Sequence, residues 1–418
     1  MRWALLAMAG LVNAGAWAGA WAAAPEFSGQ VRPEVVDQQT NTHGPLAQAA
    51  GLVPGLVTLP ASGVAVETEL RGSGYGLTGI GTLRVQRLEG DTLHAEAWFN
   101  ELYASGGGTS WQFSAGKKIV GWDVGYGFRP NDVVQQEVRR RLLPTTPDGR
   151  PLAMAEHFDA STAWSFVLVN PNHPSSDRGA QEPALAMRVY QRDGAADWFG
   201  FARYGAHTHA SVGAAVAWVA SDAVELHASA RYLDAADTLG PDTAAIAAAP
   251  AGLVRSNPWQ PALIRHVTQA LVGGTWTNAE QLSLLAEAWW EGAALSNGQW
   301  NDWNARNRQL GTLIGTPAPA VAIAGNLAWQ GSAFDAASNL RRANLFVRLS
   351  WTHEKWQPAF DVLYTPADAG RIVTASLGWQ GDRVRFDSGL RFYGGPAEAV
   401  LAQLPTRRVA YVAATWAF

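Results

Sequence analysis

The chain has 418 residues, 48% hydrophobic and only 16% charged, with no cysteine and a formal net charge of −4. It is too apolar for a disordered chain and too near neutrality for a nucleic-acid binder, and it lacks the thiols for disulfides, thiolate zinc sites or Fe–S chemistry. Twenty Trp and 43 Gly stand beside only three lysines (Lys117, Lys118 and Lys355), a balance that does not suit a surface made for water alone.

Residues 1–22 read as a signal peptide. Arg2 gives a positive start, Trp3 to Val12 is a short apolar stretch, and Ala20-Trp21-Ala22 fits the small-x-small cleavage rule. A membrane anchor is the competing reading, but the stretch is short for a span of ~20 residues. The mature chain, 23–418, is therefore expected to leave a bacterial cytoplasm. No later segment makes a transmembrane helix; Thr243 to Val254 is broken by Pro250 and Gly252.

Extended segments follow at 27–37, 64–72, 75–88, 91–104, 110–123, 151–158, 161–170, 184–193, 196–205, 208–220, 222–233, 264–277, 280–291, 303–314, 319–331, 342–352, 355–365, 370–381, 382–394 and 406–418. Those at 151–158 and 303–314 are placed partly for parity, and 64–72 and 75–88 could merge with a loop. Several alternate with a period of two. Arg383, Arg385, Asp387, Gly389 and Arg391 oppose Val384, Phe386, Ser388, Leu390 and Phe392. Asn344, Arg348 and Ser350 oppose Leu345, Val347, Leu349 and Trp351; Glu225, His227, Ser229 and Arg231 oppose Leu226, Ala228, Ala230 and Tyr232. Aromatics gather at segment ends, with Trp218, Trp276, Trp351, Trp379 and Trp416 at one level and Tyr232, Trp289, Trp329 and Tyr364 at the other. Segments near ten residues with two aromatic girdles fit a transmembrane β-strand better than a soluble strand, which averages ~5–6 residues.

An arginine facing lipid at the bilayer midplane costs roughly 2–4 kcal/mol. The arginine faces must therefore enclose water. The expected fold is all-β: one transmembrane antiparallel barrel of about 18 strands, within 16–20, wide enough for an aqueous channel.

Between 110–123 and 151–158 lies a loop at 124–150, too long to be mere connection. Folded inward, it would set Arg129, Asp132, Arg139, Arg140 and Arg141 against the wall; left outside, its arginines would meet lipopolysaccharide phosphates. The candidate pore-lining set is Lys118, Arg129, Asp132, Arg139, Arg140, Arg141, Glu225, Arg231, Arg348, Asp361, Arg383, Arg385, Asp387 and Arg391. Asp361, Asp387 and Glu225 are read as balancing lumen arginines rather than as an acid/base pair.

Two other signals are set aside. Gly74-Tyr75-Gly76-Leu77-Thr78-Gly79 matches a dinucleotide-binding string but sits between extended segments, so a β-turn accounts for it. His207-Thr208-His209 could present two imidazoles, but with no third ligand nearby a polar turn is the better reading.

The chain ends Tyr411-Val412-Ala413-Ala414-Thr415-Trp416-Ala417-Phe418. Terminal Phe418, with Trp416 and further apolar residues at every second position, resembles the C-terminal assembly signal of bacterial outer-membrane barrels. That resemblance implies recognition by the barrel assembly machinery and a last strand ending on the periplasmic side. Tight connections at Gln380–Asp382, His353–Lys355, Thr316–Pro319, Thr277–Glu280 and Ala220–Asp222 then fall on the periplasmic side. The long ones, Asp234–Leu263, Gly292–Asp302 and Gly395–Pro405, fall outside. The run from Gly116-Lys117-Lys118 through Trp122 to Pro130 and Asp132 resembles the Gly-basic-x-x-x-Trp strand and following loop of alginate-export-type and related porin-like barrels. That resemblance implies a large monomeric channel for an anionic polymer or a small solute.

The expected function is an outer-membrane channel for small hydrophilic or amphipathic solutes, held in lipid and lipopolysaccharide, with no cofactor, no metal and no enzymatic activity. No plug domain is visible before the alternating region, which argues against an energised receptor. The alternatives are a dedicated export channel for a polymer or secreted compound, an outer-membrane hydrolase, and a structural barrel with a filled lumen.

Overall fold

A computed structural model describes residues 24–136, 142 and 146–418. Residues 1–22, read above as a signal peptide, and Arg139, Arg140 and Arg141 lie outside the described residues. Eighteen strands run in chain order: β1 Glu26–Thr40, β2 Gly63–Gly74, β3 Leu77–Leu88, β4 Leu93–Gly107, β5 Trp111–Lys118, β6 Arg150–Phe158, β7 Thr162–Val169, β8 Ala184–Asp193, β9 Ala196–Gly205, β10 His209–Ser221, β11 Val224–Pro241, β12 Trp259–Thr277, β13 Leu282–Glu291, β14 Ala343–Trp351, β15 Trp356–Thr365, β16 Gly370–Gln380, β17 Val384–Gly394 and β18 Thr406–Ala417. Each pairs antiparallel with its neighbours in sequence, and β1 pairs with β18, so the sheet closes into a barrel. Closure is completed by the last residue: Gly29 and Phe418 exchange both backbone hydrogen bonds, at 2.9 and 3.0 Å. A Cβ at Gly29 would stand 2.7 Å from the Phe418 ring, so a side chain here would push that ring aside.

Alternation explains the two surfaces. On β17, Phe386 and Phe392 face out while Arg385, Asp387 and Arg391 face in; on β14, Leu345, Val347, Leu349 and Trp351 are exposed while Asn344 is buried. An exterior carrying exposed Phe, Leu and Val on strand after strand cannot be stable in water, where burying each such side chain is worth ~1.5–3 kcal/mol. One end of the barrel carries Trp111, Trp198, Trp218, Trp276, Trp351, Trp356 and Trp416, all exposed beside the tight turns. At the other end Tyr204, Tyr232, Trp290 and Tyr364 are exposed. These levels suit the two interfaces of a bilayer.

Connections at the first end span two to four residues, whereas the other end carries 41–62, 119–149, 170–183, 242–258, 292–342 and 395–405. The β2–β3 turn is Tyr75-Gly76, both at positive φ (52° and 77°), the two-residue turn whose twist suits a hairpin.

Several sequence expectations are corrected. The segments 303–314 and 319–331 are helical. They belong to a cap built with α1 (Pro45–Leu52), α2 (Thr243–Ala248), α3 (Asn297–Thr312) and α4 (Ala320–Trp329). Ser296 and Gln299 form a capping box on α3, and Trp300, Trp303, Asn307 and Leu310 recur at the helical spacing on its buried side. Thr316–Pro319 is accordingly a helix–helix turn at the long-loop end, and Trp329 belongs to α4 rather than to a girdle. Trp289 points inward and Trp290 takes the outer place, because Trp289 shares its face with Glu287 and Glu291. β5 stops at Lys118, not 123, and the β11–β12 ladder runs on to Pro241 and Trp259, beyond the expected 222–233 and 264–277.

Candidate functional site

The interior wall differs from sector to sector. On β6 to β10 it carries an apolar band: Leu152, Met154, Val167, Val169, Ala184, Ala186, Phe201 and Ala215 are buried together with Val120, Trp122, Val133 and Val134 from the segment 119–149, beside the inward Ser165, Arg203 and Ser211. Burial of those four loop residues against the inner wall is what carries the chain away from the rim and into the barrel.

Polar anchors fix its path. Lys118, where the chain leaves β5, donates to Ser114 at 3.2 Å and lies over the Tyr103 ring. Asp123 sits at φ 88°, and its carboxylate accepts from Asn131 N at 2.6 Å and Ser229 Oγ at 2.8 Å, closing a tight loop. Burial pushes the Asp123 pKa up, partly offset by the hydrogen bonds from Asn131, Ser229 and Val124 and by the charge of Arg129. The Asn131 amide donates to Ser229 Oγ, Ala214 O and Ala230 O, filling space left at Gly213, where a Cβ would fall 1.9 Å from Asn131 Oδ1. Arg231 donates to Pro130 O and Ser211 Oγ, and Arg203 to Val133 O at 2.6 Å. Arg129 donates to Gly125 O, and buried Asp132 accepts from Trp122 N at 3.4 Å.

The tip crosses to β13. Tyr126 N and Gly127 N donate to the two oxygens of Glu287 at 2.6 and 2.7 Å, and Phe128 packs with Leu271 and Trp289. Beyond the tip lies a cavity of ≈ 790 Å³, lined on one side by Tyr126, Gly127 and Leu142 and on the other by the inner faces of β14 to β18. Five sequence candidates meet there: Arg348 paired with Asp361 at 3.0 Å, Arg385 gripped by Asp387 at 2.8 Å, and Arg391, which donates to Thr374 Oγ1 at 3.0 Å. The Arg348 guanidinium also stands over the Tyr126 ring, 5.8 Å from its centre.

The other candidates are placed elsewhere. Arg231, Arg129 and Asp132 hold the loop. Glu225 lies near the short-turn end against His227, 3.1 Å away. Arg383 belongs to the exposed turn before β17 and is not part of the cavity wall, because the strand starts one residue after it. Trp416 and Phe418 face outward at the barrel seam, their rings 5.2 Å apart.

Several interior residues carried no local signal in the sequence. Arg32, Glu34, Glu67 and Arg84 interlock across β1 to β3, with Arg32–Glu67 at 2.8 Å and Arg84 also bound to Glu34. Glu182, in 170–183, accepts from the backbone of His207 and Thr208 and pairs with Arg203 at 3.0 Å. His207 itself lies 3.0 Å from Asp237, in a turn rather than a metal site. Burial alone would raise the Glu182 pKa; the backbone and side-chain donors outweigh it and hold it below the usual carboxylate range. Alternation correctly puts Arg203 inside, but its partners lie far away in sequence.

No family model matches the chain, and no curated relative matches it. Among solved structures the chain is similar to engineered forms of the Rhodopseudomonas blastica porin. One triple mutant is 11% identical with a TM-score of 0.43, and a second triple mutant is 11% identical with a TM-score of 0.44. Each alignment covers 94% of this chain and all of the other. The likeness to alginate-export-type barrels rests on the 116–132 motif alone.

Proposed function

We propose that this protein is an outer-membrane diffusion channel for small hydrophilic or amphipathic solutes. Solute would pass between the tip of the segment 119–149 and the charged wall of β14 to β18. The observation that carries this reading is the cavity inside a closed, externally apolar barrel, with charged side chains on one wall and a wall-anchored loop on the other. Arg348, Arg385 and Arg391 against Asp361 and Asp387 leave the wall with an excess of positive charge, which favours anions and dipolar solutes. A lumen partly filled by an anchored segment suits small solutes better than a polymer, so the export reading ranks second. The long-loop end would face outward, among lipopolysaccharide headgroups, and Trp416 and Phe418 would be read by the assembly machinery.

Planar-bilayer recordings test this. The purified barrel should give ohmic steps with a preference for anions. Changing Arg348, Arg385 and Arg391 together to Gln should move the reversal potential toward cation selectivity without abolishing conduction. An unchanged reversal potential in the triple variant would show that solute does not pass along this wall.

A further inference from the structure

Glu287 is buried inside the barrel, 3% exposed, at a level where the neighbouring β12 offers no side chain. In the ladder His227 on β11 pairs with Gly273, and Gly273 pairs with Glu287 on β13. Because Gly273 is bare, His227 and Glu287 meet across an intervening strand, with Nε2 3.0 Å from Oε1. A Cβ at Gly273 would stand 2.6 Å from both Glu287 Cγ and His227 Nε2. The same carboxylate accepts from Tyr126 N and Gly127 N, both of its oxygens being engaged. Gly127 is constrained in turn, since a Cβ there would lie 3.1 Å from Glu287 Oε2 and from the Trp289 ring. Three strands and the loop tip therefore converge on one carboxylate.

We propose that Glu287, with His227 docked against it across Gly273, is the positioning residue that sets the aperture of the channel. Its two oxygens hold the Tyr126–Gly127 tip opposite the arginine wall. The aperture role rests on the channel reading above; the clasp does not. Two amide donors on one carboxylate are strong hydrogen bonds, and replacing that acceptor weakens both together. The other titratable groups on the packed elements are Glu225, which contacts His227 from its own strand, Asp123 and Arg129 in the loop, Arg348 on β14 and Asp361 on β15. β12 contributes only Gly273 at this level. Among the described residues, the carboxylate that accepts from the two tip amides is that of Glu287, not any of these groups.

Amide hydrogen exchange of the detergent-solubilised full barrel reads the clasp without any assumption about transport. In the wild type, Tyr126 and Gly127 should be protected near neutral pH. Glu287→Gln should lower that protection by roughly tenfold or more. Gly273→Ala should lower it as well, without removing any titratable group. Compact migration of unheated samples shows that each variant has formed its barrel. Single-channel traces of the same samples should show loop-dependent current fluctuations rising in parallel. Wild-type levels of protection in folded Glu287→Gln overturn the clasp. Protected amides in a wild type that passes no current would leave the clasp standing and remove the channel reading instead.

Discussion

Glu182 and Arg203 show how much one buried ion pair carries here. Their side chains are 1% and 2% exposed, and between them they hold the backbone of the 206–208 turn and the Val133 carbonyl of the inward segment. Removing one partner strands the other charge inside the barrel, a cost of about 3–5 kcal/mol. Glu182→Ala is therefore expected to lower the urea-unfolding free energy of the refolded barrel by that order. The pH dependence follows from the direction of the shift: a carboxylate whose folded pKa is depressed contributes stability above its ordinary value of 4.5, lost as pH falls through the folded value. Wild type should thus lose stability over that acid range more steeply than Glu182→Gln, and identical slopes would contradict this. Local pattern could not reveal Glu182, since it sits in an irregular loop and its partners are brought together only by the β8–β9–β10 ladder. Trp289 is a different case. Its parity with Glu287 and Glu291 was readable, but the pull of two adjacent tryptophans toward a girdle concealed it.

Among the elements, strands were legible wherever one face was charged and the other apolar, as on β11, β14 and β17. The exceptions are instructive. Residues 319–331 are rich in Ala and other apolar residues and look like a lipid-facing strand by composition, and 303–314 was placed partly for parity, yet the buried positions of both follow the helical period. The Ser296–Gln299 capping box was the local sign of this. The inner faces of β6 and β7 are largely apolar where they meet the loop rather than water, with Glu156 and Ser165 among their few polar members, so alternation fades there. The α3 cap depends on Trp300, 1% exposed, which donates to Leu340 O at 2.9 Å and stands edge-on to Trp303. Trp300→Ala should cost the cap about 3–5 kcal/mol and expose 292–342 to proteases while the barrel stays intact. Resistance equal to wild type would contradict this packing. The path of the inward segment can be tested with a cysteine pair, since the chain has no cysteine of its own. Asn131→Cys with Gly213→Cys should form an intramolecular disulfide under mild oxidation, given how closely Asn131 is seated over Gly213. Failure to crosslink in the folded barrel would place the segment elsewhere.

For the whole molecule, one physical asymmetry organises everything else: charged faces turned inward, apolar faces turned outward, and a seam closed by Gly29 against Phe418. The number of strands followed from that asymmetry once the two helical segments were set aside. The lining of the lumen did not, because it depends on which inner faces the loop covers and which it leaves to the cavity. That the enclosed space conducts is the central claim. The most direct measurement is the current carried by purified, refolded protein in a planar bilayer of known salt. The account predicts discrete ohmic conductance steps with anion preference; a folded, membrane-inserted barrel that passes no current would contradict it.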